Sequence, residues 1–300
     1  MALNDILNAS VFQPITINNI QSVIAITRQY APQDCEFSIG TIFSWKSIQK
    51  THFAIIDNQL IMRICIDGMM TYTFPVGERV TSSTFEAIET DAHLFNQPVR
   101  IQGEYSLLQT YFDANYTITQ YRNFFNYIYL RNDLVNLKGG RYQSKRNHIN
   151  RFQNTYNYTF QPLTPELIPD CIALEEEWRK QHVFEEQTSY EQEKMALVTA
   201  LRNYEVLELL GGVVFIDEKI EAFSIGSAIN GDTFDVMFEK ANPLYDGIYS
   251  VINQEFTSLI PEQYTYINRE EDLGMEGLRK SKLSYKPTFL FEKSIAEKHE

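Results

Sequence analysis

Residues 212–225, GVVFIDEKIEAFSI, and residues 52–66, HFAIIDNQLIMRICI, decide the fold. Each is a pair of β-rich runs around a short polar turn, Asp217-Glu218-Lys219 in one and Asp57-Asn58-Gln59 in the other. That is the signature of a β-hairpin. Aligning Ala54-Ile-Ile-Asp57 with Val214-Phe-Ile-Asp217 gives an offset of 160 residues. The same elements follow both hairpins. Met70–Phe74 and Thr233–Phe238 read as third strands. Thr84–Phe95 and Tyr245–Ile260 read as helices, the second with Ile248, Val251, Ile252 and Leu259 at helical spacing. Val99-Arg-Ile and Thr265-Tyr-Ile return as strands at an offset of 166. Helices also precede both hairpins, near residues 19–31 and 165–181. The order hairpin, strand, helix, strand occurs twice, which suggests internal duplication; chance recurrence of common motifs is the alternative. Within each half the pattern is a helix and a meander, the mark of an α+β mixed sheet and not of regular βαβ alternation.

The chain has 300 residues, 44% hydrophobic and 22% charged, enough for about two domains with real cores. No apolar run reaches the ~18 residues of a membrane span. Met1–Ser10 lacks a basic start and carries Asp5, so it does not read as a signal peptide. Cys35, Cys65 and Cys171 are odd in number and widely spaced, which predicts buried free thiols and a cytoplasmic setting. The five histidines, including His182, show no ligand spacing, and no metal site is expected. No Ser/His/Asp or Cys/His order supports a hydrolase.

A net charge of −13 argues against a general DNA or RNA binder. The basic residues are nevertheless uneven. Nine of 26 fall in two windows, 138–151 and 279–286, and neither window holds an Asp or Glu. The first contains Lys138, Arg141, Lys145, Arg146 and Arg151; the second contains Arg279, Lys280, Lys282 and Lys286. Two such windows on an acidic chain point to an anion site, and both are expected to face one cleft. A solvated basic face is the bland alternative.

The windows lie in two longer motifs, Leu137-Lys-Gly-Gly-Arg-Tyr-Gln-Ser-Lys-Arg-Asn-His-Ile-Asn-Arg-Phe152 and Asp272-Leu-Gly-Met-Glu-Gly-Leu-Arg-Lys-Ser-Lys-Leu-Ser-Tyr-Lys-Pro287. Together they resemble the stand-alone proteins related to the C-terminal catalytic domain of phosphatidylglycerol lysyltransferase. The resemblance implies two tandem Gcn5-related N-acyltransferase-like domains, similar in fold to the Fem-type aminoacyltransferases. It implies boundaries at 1–137, a connecting basic helix at 138–154, and 155–300. Members fused to a membrane half move an aminoacyl group from a charged transfer RNA onto a lipid headgroup. This chain shows no multi-span half, so the lipid acceptor does not carry over; peripheral membrane contact stays open, as does the oligomeric state.

For the chemistry, an aminoacyl ester is already activated and needs positioning and oxyanion stabilisation. Arg279 and Lys282 are the candidates for the oxyanion, with Lys280 beside them for an RNA end. Glu239, just past a strand, is the candidate proton acceptor. Arg141, Lys145, Arg146, Asn147, His148, Glu270, Asp272 and Tyr285 are the candidate substrate contacts. Coenzyme A is the less favoured donor. Its pyrophosphate needs a glycine-rich turn at a helix start, whereas residues 239–249 offer Gly247 beside Asp246 and residues 77–84 offer only Gly77. The remaining alternatives are a coenzyme A-dependent N-acetyltransferase and a non-catalytic protein binding an anionic metabolite.

Overall fold

The structure, a computed structural model, describes residues 9–66, 68–181 and 187–299. The amino-terminal stretch read as lacking a leader falls largely outside these residues, and so does His182. After the short strand β1 (Gln13–Pro14) come helices α1 (Ile20–Tyr30) and α2 (Ile39–Trp45). The first hairpin is β2 (His52–Ile56) and β3 (Gln59–Ile66), then β4 (Met69–Thr73), α3 (Ser82–Leu94), β5 (Arg100–Glu104), α4 (Tyr105–Tyr111), β6 (Tyr116–Gln120) and β7 (Asn126–Leu130). Helices α5 (Arg131–Asn136) and α6 (Gln143–Thr155) lead to β8 (Tyr158–Pro162), α7 (Ile168–Gln181) and α8 (Gln187–Arg202). The second hairpin is β9 (Leu210–Ile216) and β10 (Lys219–Ala228). It continues into β11 (Thr233–Ala241), α9 (Ile248–Leu259), β12 (Tyr266–Asn268), α10 (Glu276–Ser284), β13 (Phe289–Phe291) and β14 (Lys293–Lys298).

The hairpin turns are one residue shorter than the sequence suggests. Gln59 already pairs with Ile56, and Lys219 with Ile216. Asp57 and Asn58 have φ of 49° and 61°, and Asp217 and Glu218 have 50° and 64°. Two successive positive φ values make the tight turn whose twist matches the flanking strands. In each half the strand after the hairpin runs antiparallel to it, and the strand after the helix pairs parallel: β4 with β5, β11 with β12. The repeated order read from the sequence is therefore present in space.

Two seven-stranded mixed sheets result, ordered β1-β2-β3-β4-β5-β14-β6 and β8-β9-β10-β11-β12-β7-β13. The sheets do not part at residue 137. Strand β7, which precedes that point, lies inside the second sheet, and β14, from the end of the chain, lies inside the first. Each parallel pair would otherwise end on an open edge of unpaired N–H and C=O groups. Each half closes that edge with a strand from the other.

One apolar core is shared between the halves. Val23, Ile42 and Phe43 pack with Leu197, Leu201 and Phe223. Two further cores lie under the single sheets, one around Phe152, Ile252 and Phe256, the other around Tyr72, Ile88 and Ile101. No helix among the described residues is long and apolar enough to cross a membrane. All three cysteines are free; Cys35 and Cys171 are buried and Cys65 is half-buried.

Candidate functional site

Strand β11 supplies the site from both of its faces. Pairing with β10 runs Phe238 to Ile225 and then Val236 to Gly226, so Met237 has no partner and forms a bulge. Side chains alternate with a period of two, and one extra residue reverses the phase. Before the bulge, Asp235 faces the first half, where Thr41 Oγ1 donates to its Oδ2 at 3.1 Å. Beyond it, Glu239 turns toward α9 and accepts from Asn253 Nδ2 at 3.3 Å. Glycine is required opposite: a Cβ on Gly226 would stand 2.0 Å from the Asp235 carbonyl oxygen.

The chain leaving β12 carries four charged residues, Arg269 to Asp272. Glu270 has a φ of 53°, and its N–H donates to Asn268 Oδ1 at 2.6 Å. This kink sends the four side chains to four different neighbours. Arg269 Nη2 donates to Glu239 Oε1 at 3.1 Å, and the guanidinium lies 4.8 Å from the Tyr285 ring. Glu270 turns to Thr41, whose Oγ1 is 3.4 Å away, and to Asp235. Glu271 accepts from Lys293 Nζ at 2.8 Å and Asn126 Nδ2 at 3.1 Å. Asp272 is fully buried; it accepts from Arg279 at 2.9 and 2.8 Å and from the Tyr127 hydroxyl at 2.6 Å.

Lys145, on α6, points at this centre. Its Nζ lies 3.8 Å from the Tyr285 ring centroid. It has no hydrogen-bonding or ion-pair partner among the described residues. Burial, and then the nearby Arg269 charge, bring its pKa down to about 8. Two neighbours are also unsatisfied: Arg269 Nη1 and Asn253 Oδ1 are buried without a hydrogen-bond partner. Buried polar atoms are rarely left unpaired, which sets these two apart.

Of the residues singled out from the sequence, the structure brings together Lys145, Glu239 and Tyr285 around Arg269, with Glu270 behind them. Arg279 and Lys282, expected at the oxyanion, are engaged elsewhere. Arg279 makes the two-pronged pair with Asp272, and Lys282 Nζ donates to the carbonyls of Arg269 and Glu271. Both hold the 269–272 segment in shape. Hydrogen bonds from Arg279 and Tyr127 keep the Asp272 carboxyl far below its ordinary range, although burial opposes them. Lys280 is exposed on α10.

In the first window, lack of internal acids did not leave the arginines unpaired. Arg141 pairs with Asp133 at 2.7 Å. Arg151 pairs with Asp246 at 2.7 Å, with His148 3.9 Å from the same carboxylate. Arg146 donates to the Gly139 carbonyl at 2.7 Å and to Gln143, and Asn147 accepts from Gln143 at 2.8 Å. The two windows meet where Lys145 reaches Tyr285. Arg269 was missed; its signal was a lone base at a strand end before three acids.

A second charged cluster fills the seam between the halves. Lys293, 5% exposed, contacts Asp34 at 3.1 Å, Glu36 at 3.3 Å and Glu271 at 2.8 Å. Beside it, burial pushes the Asp235 and Glu270 carboxyls well above their ordinary values, and each ion would oppose charge on the other.

A solved protein of unknown function from Bacteroides thetaiotaomicron VPI-5482 is 40% identical; the match covers 96% of this chain and 99% of that one, with a TM-score of 0.92. The C-terminal domain of a putative lysylphosphatidylglycerol synthetase from Agrobacterium fabrum is 14% identical, covers 94% and 92%, and has a TM-score of 0.66, a likeness of fold. An uncharacterized protein of Mycoplasmoides gallisepticum is 24% identical over 174 residues, so the match spans 57% of this chain and a little over half, 56%, of that protein. The profile of one family, "Phosphatidylglycerol lysyltransferase, C-terminal", matches residues 27–297. With nearly the whole chain matched and two mixed sheets of the acyltransferase kind in place, this protein belongs to the phosphatidylglycerol lysyltransferase C-terminal family.

Proposed function

We propose that the protein transfers an aminoacyl group from a charged transfer RNA to an amine or hydroxyl acceptor, at the centre formed by Lys145 and Arg269. The observation that carries this reading is a partnerless half-buried lysine and a buried guanidinium with one unpaired nitrogen, both held against the Tyr285 ring. In the step envisaged, neutral Lys145 takes the proton of the attacking N–H or O–H as the new bond to the ester carbon forms. The carbonyl electrons move onto oxygen, which Arg269 Nη1 stabilises by a charge-assisted hydrogen bond. The intermediate then collapses, the bond to the ribose oxygen breaks, and that oxygen takes the proton back from Lys145. Glu239, Asn253 and Tyr285 orient Arg269 and touch no reacting atom.

Coenzyme A is disfavoured by what covers the start of α9. A side chain on Gly247 would strike the His148 carbonyl, its Cβ only 2.7 Å away. The Asp246–Arg151 pair lies at the same place, so α6 occupies the ground a pyrophosphate needs. Exposed Lys138, Lys280 and Lys286 suit the phosphates of an RNA end. The test is incubation with transfer RNAs charged with labelled amino acids and a pool of small acceptors, followed by mass spectrometry. Label moving to an acceptor with wild type and not with Lys145→Met supports the reading; no transfer from any charged species removes it.

A further inference from the structure

A pocket of 510 Å³ opens in the first half, at the carboxyl ends of β4 and β5, away from the Lys145–Arg269 centre. Its shape is fixed. The turn after β4 is tied to β3 by paired backbone bonds between Leu60 and Val76, at 2.8 and 2.9 Å. The walls are aromatic: Phe74 and Tyr111 stand edge to face at 4.8 Å, with Phe37 and Phe291 also lining the space. At its inner end Gln102 is 7% exposed, and its Nε2 has no partner. A ligand oxygen would satisfy that donor. The mouth carries Glu78, Glu104 and Arg79, all exposed and none in an ion pair among the described residues. Asp34, also lining the pocket, shares the Lys293 cation with Glu36 and Glu271. The balance at the mouth therefore favours a cation. Carboxylates beside aromatic faces are a known arrangement for an ammonium group.

We propose that this pocket binds a small organic amine with an aromatic or apolar body and an oxygen at its inner end. The pocket chemistry is opposite to that required by an anionic headgroup.

The test is calorimetry with three probes on the full chain. Tyramine has the ring, the oxygen and the amine; 4-hydroxyphenylacetate exchanges the amine for a carboxylate; phenethylamine lacks the oxygen. Tyramine should bind at least about tenfold more tightly than 4-hydroxyphenylacetate, and more tightly than phenethylamine. Glu104→Gln, at an exposed position, should weaken tyramine several-fold, and Gln102→Leu should abolish the preference for the hydroxyl. Equal or tighter binding of 4-hydroxyphenylacetate overturns the proposal, as does no saturable tyramine binding at millimolar concentration. Lys145→Met separates the two readings: it should stop transfer and leave tyramine affinity unchanged. Transfer that persists without tyramine binding removes only the pocket assignment. Tyramine binding in a protein that transfers nothing removes the transferase reading and leaves the amine site standing.

Discussion

Replacing Lys145 by arginine separates a proton acceptor from a fixed positive charge. With a pKa of about 8, Lys145 is neutral in roughly 1% of molecules at pH 6 and in about half at pH 8. If the neutral amine takes the proton, kcat/KM at saturating second substrate rises about fifty-fold across that interval and levels off above it. If the ammonium stabilises the oxyanion, the rate is flat and then falls above pH 8. Arginine keeps the charge and stays protonated throughout. Lys145→Arg should therefore be as slow as Lys145→Met, each down by about 10²–10⁴, or roughly 3–5 kcal/mol of barrier. The residual rate should lose its rise toward pH 8. Single-turnover rates with a labelled charged transfer RNA between pH 6 and 8, where the ester survives, measure this. An arginine variant retaining a third of wild-type activity, or a wild-type profile flat over those two pH units, would refute Lys145 as the base.

Other outcomes follow from the same contacts. Arg269→Ala leaves the Glu239 carboxyl, 13% exposed, without its cation; urea unfolding should show a loss of about 3–5 kcal/mol, part of it recovered by adding Glu239→Gln. The raised Asp235 and Glu270 carboxyls contribute stability while protonated and lose it as pH rises from about 4 through their elevated values, so Tm should fall toward alkaline pH. Asp235→Asn should raise Tm at pH 8 and flatten that slope; an unchanged slope counts against a protonated Asp235. Gly226→Ala drives a Cβ into the Asp235 carbonyl and should cost about 3 kcal/mol or more, with transfer lost as Glu239 turns away, read by thermal melts and single-turnover rates.

Much of the fold was legible because its signals are local. Asp57-Asn58 and Asp217-Glu218 are polar pairs between β-rich runs, and such pairs announce their turns. What stayed hidden depends on distant partners. Nothing in residues 126–130 says that this strand crosses to the other sheet, because its apolar run would suit either. Helix α8 hides its packing face in Ala196, Leu197, Ala200 and Leu201, where small residues weaken the hydrophobic pattern. In the candidate site, charge density drew attention to the right segments but ranked their members poorly. Arg279 and Lys282 look available in the sequence, yet Asp272 and two backbone carbonyls bind them. Lys145 looked like one base among five, and only burial against Tyr285 distinguishes it. The aim of Glu239 rests on the bulge at Met237, a one-residue slip between neighbouring strands that no single strand reveals.

The crossing of β14 into the first sheet also sets a timetable. Ile295 pairs with Gln102 and Thr119, so the amino-terminal half cannot complete its sheet until residues 293–298 have been synthesised. Until then β5 and β6 flank an empty slot, and their exposed edges must be shielded from neighbouring chains. Pairing across such separations makes for slow final closure. Lys293 is the first residue of that strand, and its contacts with Asp34, Glu36 and Glu271 form only when the strand docks. An amino-terminal fragment released early thus carries buried acids with no cation to meet them. The chain joins its two halves and neutralises its seam in one late event, so a truncated product is unlike the finished protein in charge as well as in shape.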